Sequence, residues 1–161
     1  MLRLLRKLLG GGQSLPAESI VCLHALQGYD GPLDVCDIKH IHITSAIRLG
    51  DGRYRLNLPG TSCILVSRPL AKVLRRTCGH CAEFLVATVA DAHIARTLAK
   101  CVEVRPRDEI TPDTLPHLVA TGAHVWHWEH RCLCVTKQVM VEIQRARIAG
   151  LSFRPFTLCR A

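Results

Sequence analysis

Between Cys132 and Leu158 the spacing of apolar positions changes period twice. CLCVT is a short apolar run of small and β-branched residues, the pattern of a strand. From Thr136 onward Val139, Met140, Ile143 and the alkyl stem of Arg147 fall at i, i+1, i+4 and i+8, one stripe of a helix. Thr136 stands where an N-cap hydroxyl is needed, and Gly150 can take the positive φ that ends a helix before the strand pattern LSFRPFTL. The same plan runs from Cys63 to Val89. At an offset of 69 positions, with no gap, Cys63 meets Cys132, Ser67 meets Thr136, Leu74 meets Ile143 and Phe84 meets Phe153. The pattern predicts an α+β fold, a mixed or antiparallel sheet with packed helices, containing two similar strand-helix-strand units at about 63–89 and 132–158.

The remaining segments fit around these units. Residues 1–14 read as a basic amphipathic segment, Leu2, Leu5, Leu8 and Leu9 against Arg3, Arg6 and Lys7, with too few apolar residues to span a bilayer and ending in a glycine linker. Residues 15–161 then form one α+β domain, whose two halves, 15–100 and 101–161, each hold one unit. KHIHITSAIRL alternates as a half-buried strand does, and Asp51-Gly52 between IRL and YRLNL is a hairpin signal. A helix is expected from about Asp91 to Lys100, with RPRDEITPDTLPH as a connection. In GAHVWHWEH, strand alternation sends Val125, His127 and Glu129 one way and Trp126, Trp128 and His130 the other.

Composition narrows the function. The chain of 161 residues is long enough to build a core without staples, and 48% hydrophobic residues exclude wholesale disorder. Aromatic residues make up only 4%, so the core must be aliphatic with buried cysteine. A net charge of +8 and a pI near 9.3 favour an acidic partner. The cations are scattered and lack interleaved aromatics, so nucleic acid is not the expected partner. Nine cysteines, an odd number at irregular spacing, suit reduced thiols in a cytoplasm better than a disulfide scaffold. No phosphate loop, nucleophile elbow, zinc-protease motif or paired-carboxylate constellation occurs in the sequence, so a non-enzyme is expected.

Two motifs carry candidate chemistry. Cys78-Gly79-His80-Cys81 resembles the CGHC dithiol of protein disulfide isomerases over those four residues. That chemistry needs the motif at a helix N-terminus, and here it falls at a helix exit. As a metal site, Cys78, His80 and Cys81 would be half of a zinc centre, completed from Cys132, Cys134 or His130. Cysteines packed as small apolar residues account for the same pattern, and both readings stand.

The C-terminal half, ITPDTLPHLVATGAHVWHWEHRCLCVTKQVMVEIQRARIAGLSFRPF, resembles the closing segment of the double-CxxCG-motif proteins and related immunity proteins of bacterial polymorphic-toxin systems. The matching features are Leu115-Pro116, a strand over Cys132 to Val135, a helix opened by Thr136, and Gly150 with Phe153. CILVSRPLAKVL is similar to an earlier strand-helix piece of the same proteins; two CxxCG motifs name that family, and this chain has one CGHC, without the following Gly and in a different setting. The resemblance implies a cytoplasmic immunity protein that binds a cognate toxin and occludes its active site. Its basic surface would meet an acidic toxin surface, with Trp126, Trp128, His130 and Arg131 as candidate contacts, because Trp and Arg anchor interfaces. The alternative is a zinc- or thiol-containing protein with a redox or nucleic-acid-binding role.

Overall fold

The computed structural model describes residues 20–25, 43–56, 63–90, 101–118, 122–128, 132–148 and 150–156. The expected segment at 1–14, the helix at Asp91 to Lys100, and His130 and Arg131 lie outside the described residues. In chain order the elements are β1 (Ile20–Ala25), β2 (Ile43–Arg48), β3 (Tyr54–Leu56), β4 (Cys63–Ser67), α1 (Arg68–Cys78), β5 (Ala82–Ala87), β6 (Cys101–Pro106), β7 (Glu109–Ile110), β8 (Val125–Trp128), β9 (Cys132–Thr136), α2 (Lys137–Arg145) and β10 (Leu151–Pro155). The fold is α+β, and both strand-helix-strand units form. Their strands and helices begin 69 positions apart, as the sequence alignment predicts.

Two five-stranded sheets result, ordered β3-β2-β4-β6-β5 and β10-β1-β9-β8-β7. In the first, β6 lies between β4 and β5 and runs antiparallel to each, so the two strands joined by α1 are parallel but not adjacent. In the second, β1 fills the same place between β9 and β10. The arrangements β2-β4-β6-β5 and β8-β9-β1-β10 are therefore equivalent. They differ in where the central strand comes from, since β6 follows its unit in the chain and β1 precedes the other unit by more than a hundred residues. The strands cross between halves: β1 completes the sheet of residues 125–155, and β6 the sheet of residues 43–87.

Local chemistry explains the elements. Ser67 caps α1, its hydroxyl accepting from the Leu70 N–H at 3.3 Å, with Pro69 in the first turn where its missing N–H costs nothing. Thr136 occupies the cap position of α2, but its hydroxyl accepts from the His124 N–H at 3.3 Å instead, extending the β8–β9 pairing. The stripe of α2 is buried at Val139 and Ile143, as expected, while Arg147 departs from it. The helix ends at Arg145, and Arg147 itself turns left-handed, with φ 51°. Gly150, with φ 79°, then leads into β10 rather than ending the helix. Asp51-Gly52 makes the predicted hairpin between β2 and β3, Gly52 at φ 84° and the Asp51 carboxylate accepting from the Arg53 N–H at 3.0 Å. The stretch expected as a connection, 105–117, contains β7 and a 3-10 turn at Leu115–His117, and Cys101–Pro106 before it is a strand because its β-branched valines alternate with Glu103 and Arg105.

The main core joins both sheets to both helices and is aliphatic. Val21, Leu23, Ile64, Val66, Leu70, Leu74, Val102, Val104, Leu133, Val135, Val139 and Ile143 are buried in it together. A second cluster lies on the other face of the β1-containing sheet, where Ile20, Cys22, Ile110, Leu118, Trp126, Cys132, Cys134 and Phe156 pack. Strand β8 feeds both, Val125 entering the main core and Trp126 the second, which is the alternation read from the sequence. No helix among the described residues is long and apolar enough to cross a membrane.

Candidate metal centre where the two sheets meet

The CGHC motif sits where the strand-helix-strand plan puts it, at the exit of α1: Cys78 is the last residue of the helix and Gly79–Cys81 a 3-10 turn leading into β5. The exit divides its cysteines. Cys78 turns into the main core, its thiol donating to the Leu74 carbonyl at 3.2 Å, and burial pushes its pKa up to about 11. Cys81, buried in the same core, lies against the start of β8, where its Sγ is 3.2 Å from His124 Nδ1. Of the expected trio Cys78, His80 and Cys81, the last two share a group with His124, whose ligand atoms and theirs all lie within 4.8 Å of one another. Both cysteines are buried in the main core, but the Cys78 sulfur is engaged by the Leu74 carbonyl while the Cys81 sulfur meets His124.

Asp108, on the turn between β6 and β7, completes the group by accepting from His124 Nε2 at 3.0 Å. With the proton held on Nε2, Nδ1 presents a lone pair toward Cys81. The His124 ring is held on its face by Trp126, at 4.5 Å between centroids, and meets His80 edge-on at 6.5 Å. Its backbone is tied to Thr136 in both directions, N–H to hydroxyl and carbonyl to N–H. Four segments thus converge: the α1 exit, the β6–β7 turn, the start of β8 and the end of β9. Burial is graded across the cluster, with Cys81 buried, His124 half-buried and His80 and Asp108 exposed. Burial also raises the Cys81 pKa, opposed by the Val125 N–H that donates to its sulfur. A cleft of about 630 Å³, lined by Arg107, Asp108, Thr111, Thr114, His117 and Trp126 among others, opens beside it.

The order Cys81, His124, Asp108 is that of nucleophile, base and orienting carboxylate. Cys81 is only 3% exposed and its thiol is raised rather than depressed, the reverse of what a nucleophile requires.

The expected second half of a zinc centre forms a cluster of its own. Cys132 and Cys134 face one side of β9 as predicted, but the third member is Cys22, directly opposite Cys134 across the β1–β9 ladder. Cys22 and Cys134 sulfurs are 3.2 Å apart and Cys132 and Cys134 sulfurs 3.9 Å apart. The Cys132 and Cys134 thiols, and then burial, raise the Cys22 pKa far above the ordinary thiol range. No disulfide links the seven cysteines among the described residues.

Of the candidate contacts, Trp126 is 1% exposed and packs in the second core, and Trp128 is half-buried against Phe156 at 4.9 Å. His124 belongs to the His124/His127/His130 group, which the sequence marks as able to supply a metal site, whereas Asp108 and Cys22 had no motif to mark them.

Comparison with family models, with curated proteins and with solved structures finds no match to this chain.

Proposed function

We propose that the protein is a non-enzymatic immunity protein that works in the cytoplasm and neutralises a cognate toxin by docking over its active site. The observation that carries this reading is the outer face of α1. Arg68, Lys72, Arg75 and Arg76 are all exposed along one side of the helix, and its first turn holds no acidic residue. Of these, Arg76 makes a 3.5 Å ion pair with Glu142, and Arg75 lies 5.0 Å over the Phe84 ring on β5. Strand β5 is an edge of its sheet, closed only just past its end where Thr88 and Ala90 pair with Tyr54 of β3, and Val86, two residues past Phe84 on the same face, is 78% exposed. A basic stripe beside a partly apolar edge strand suits an acidic protein surface with an extended segment of its own. The resemblance of the C-terminal half to immunity proteins agrees with this reading at the level of element order alone.

The test is co-expression with the effector encoded by the adjacent reading frame. Rescue of growth and co-purification of the two products are expected, and Arg68→Glu with Lys72→Glu should weaken the complex at least tenfold. A product of the adjacent frame that neither binds nor is neutralised sinks the proposal.

The cluster around Cys81 favours a second reading, a zinc- or thiol-containing protein with redox or nucleic-acid contact as its output. Nucleic-acid affinity that falls steeply with salt would support that output, and absence of binding at low salt removes it.

A further inference from the structure

We infer that His80, Cys81 and His124 form a binding site for a zinc-type divalent ion, with Asp108 as the outer-shell carboxylate that positions His124. This assigns ligands to the second reading above and does not depend on toxin docking.

The donor set is the first reason. One thiolate and two imidazoles are borderline-soft ligands of the kind that hold Zn²⁺ with the fourth position left to water. Zinc bonds of about 2.3 Å to sulfur and about 2.0 Å to nitrogen put S and N about 3.5 Å apart across a tetrahedral site. The 3.2 Å between Cys81 Sγ and His124 Nδ1 needs only a few tenths of an ångström of opening, within the spread of about 4.8 Å that the three donors already keep.

The second reason is independent of the donors. A histidine that ligates a metal almost always gives its other ring N–H to a carboxylate or carbonyl, which fixes the tautomer and the ring plane. Here Asp108 does so on Nε2, Trp126 backs the ring, and the Thr136 ladder contacts fix the backbone beneath it. A half-buried histidine needing none of these for packing has nonetheless been oriented so that Nδ1 meets a sulfur. The alternative, a catalytic relay, gives no role to His80, whose ring is the third donor at the same point.

Charge distinguishes this cluster from the all-sulfur one. A Zn²⁺ ion, the Cys81 thiolate and the Asp108 carboxylate sum to zero, and the exposed His80 side leaves a path for the ion and its water. Zn²⁺ on Cys22, Cys132 and Cys134 would instead carry a net negative charge into a cage of Ile20, Ile110, Leu118, Trp126 and Phe156, where burial of charge is costly. The ion at Cys81 would tie the exit of α1 to the start of β8, two segments otherwise joined by packing and by weak hydrogen bonds at the Cys81 sulfur.

Cobalt(II) reports the site directly. Full-length protein, stripped with a chelator under reducing conditions and titrated with Co²⁺, is expected to take up one equivalent. The bound ion should show the d–d bands of tetrahedral cobalt with a thiolate-to-metal charge-transfer band, and Zn²⁺ should displace it. Cys81→Ser should remove the charge-transfer band. His80→Ala, on the surface and outside the core, should weaken binding at least tenfold, and Asp108→Asn by roughly 10- to 100-fold without altering the band positions. Far-ultraviolet circular dichroism checks each variant; if Cys81→Ser does not fold, His80→Ala and Asp108→Asn decide. Failure to bind Co²⁺ or Zn²⁺ overturns the assignment. So does a cobalt spectrum indifferent to His80→Ala and Asp108→Asn but lost in Cys134→Ala, and so does a metal-free protein whose Cys81 alkylates faster than free cysteine. None of these outcomes touches the co-expression test, so the two proposals fail separately.

Discussion

Glu103 is the perturbation with the most closely reasoned cost. It sits in the middle of β6, opposite Leu65 on β4 and Leu85 on β5, and is 3% exposed. Its carboxylate accepts from the Tyr54 hydroxyl, from Arg105 Nε at 2.8 Å and from the second Arg105 nitrogen at 2.9 Å. Burial works against the ionised form, and the donors from Arg105, Tyr54 and Cys63 together outweigh it, so the carboxyl titrates below its ordinary value. Tyr54 shows the reverse: burial, reinforced by the carboxylate beside it, pushes the phenol up to about 12. Glu103→Ala leaves a buried hydroxyl and a guanidinium without their acceptor. Loss of one partner from a buried pair costs roughly 3–5 kcal/mol, and because Arg105 can turn toward water the lower end, about 3 kcal/mol, is expected here. Tyr54→Phe removes one donor and should cost about 1 kcal/mol. The double variant should fall short of the sum by about 1 kcal/mol, since both changes break the same bond.

Urea unfolding followed by the fluorescence of Trp126 and Trp128 measures all three, and pH gives a second reading of the same bond. A carboxyl whose folded pKa is depressed contributes stability that is complete above its unfolded value, about 4.3, and is lost as pH falls through the folded pKa. The stability difference between the wild-type chain and Glu103→Gln should therefore be constant from neutral pH to about pH 5.5 and shrink below about pH 4.3. A Glu103→Ala cost under about 0.5 kcal/mol, within the range of ordinary surface changes, would refute the reasoning. So would a wild-type to Glu103→Gln difference that does not change on acidification.

Other expectations follow from single contacts. Ser67→Ala removes the N-cap bond of α1 and should cost about 1 kcal/mol in the same urea assay. Thr136→Ala, at the equivalent position, should leave α2 helical and instead lower cobalt affinity, because its hydroxyl holds His124. Gly52→Ala meets nothing within 4 Å, so its cost of about 1–2 kcal/mol should come from the left-handed backbone alone; Gly52→Asn should recover part of it. A chain beginning at residue 26 lacks β1, the central strand between β9 and β10, and should show no cooperative unfolding of Trp126 and Trp128.

Local sterics and amphipathic period were enough to read the two strand-helix-strand units, the Ser67 cap, the Asp51-Gly52 hairpin, the exit position of CGHC and the two faces of β8. Each rests on residues within a few positions of one another, where side-chain direction follows from the period of the element itself. What escaped depends on partners far apart in the chain. The strand at Cys101–Pro106 was hidden behind an expected helix, and nothing local says that it enters between β4 and β5, nor that Ile20–Ala25 does the same between β9 and β10. Those choices decide the chemistry. Cys22 meets Cys134 only because β1 crosses to the second sheet, and Cys81 meets His124 rather than Cys78 only because the exit of α1 abuts the start of β8. The amino-acid sequence by itself determined the elements and their faces, because these follow from φ/ψ sterics and side-chain period. Tertiary structure alone decided which thiols and imidazoles share a point in space, because strand pairing is chosen by burial summed over the whole core.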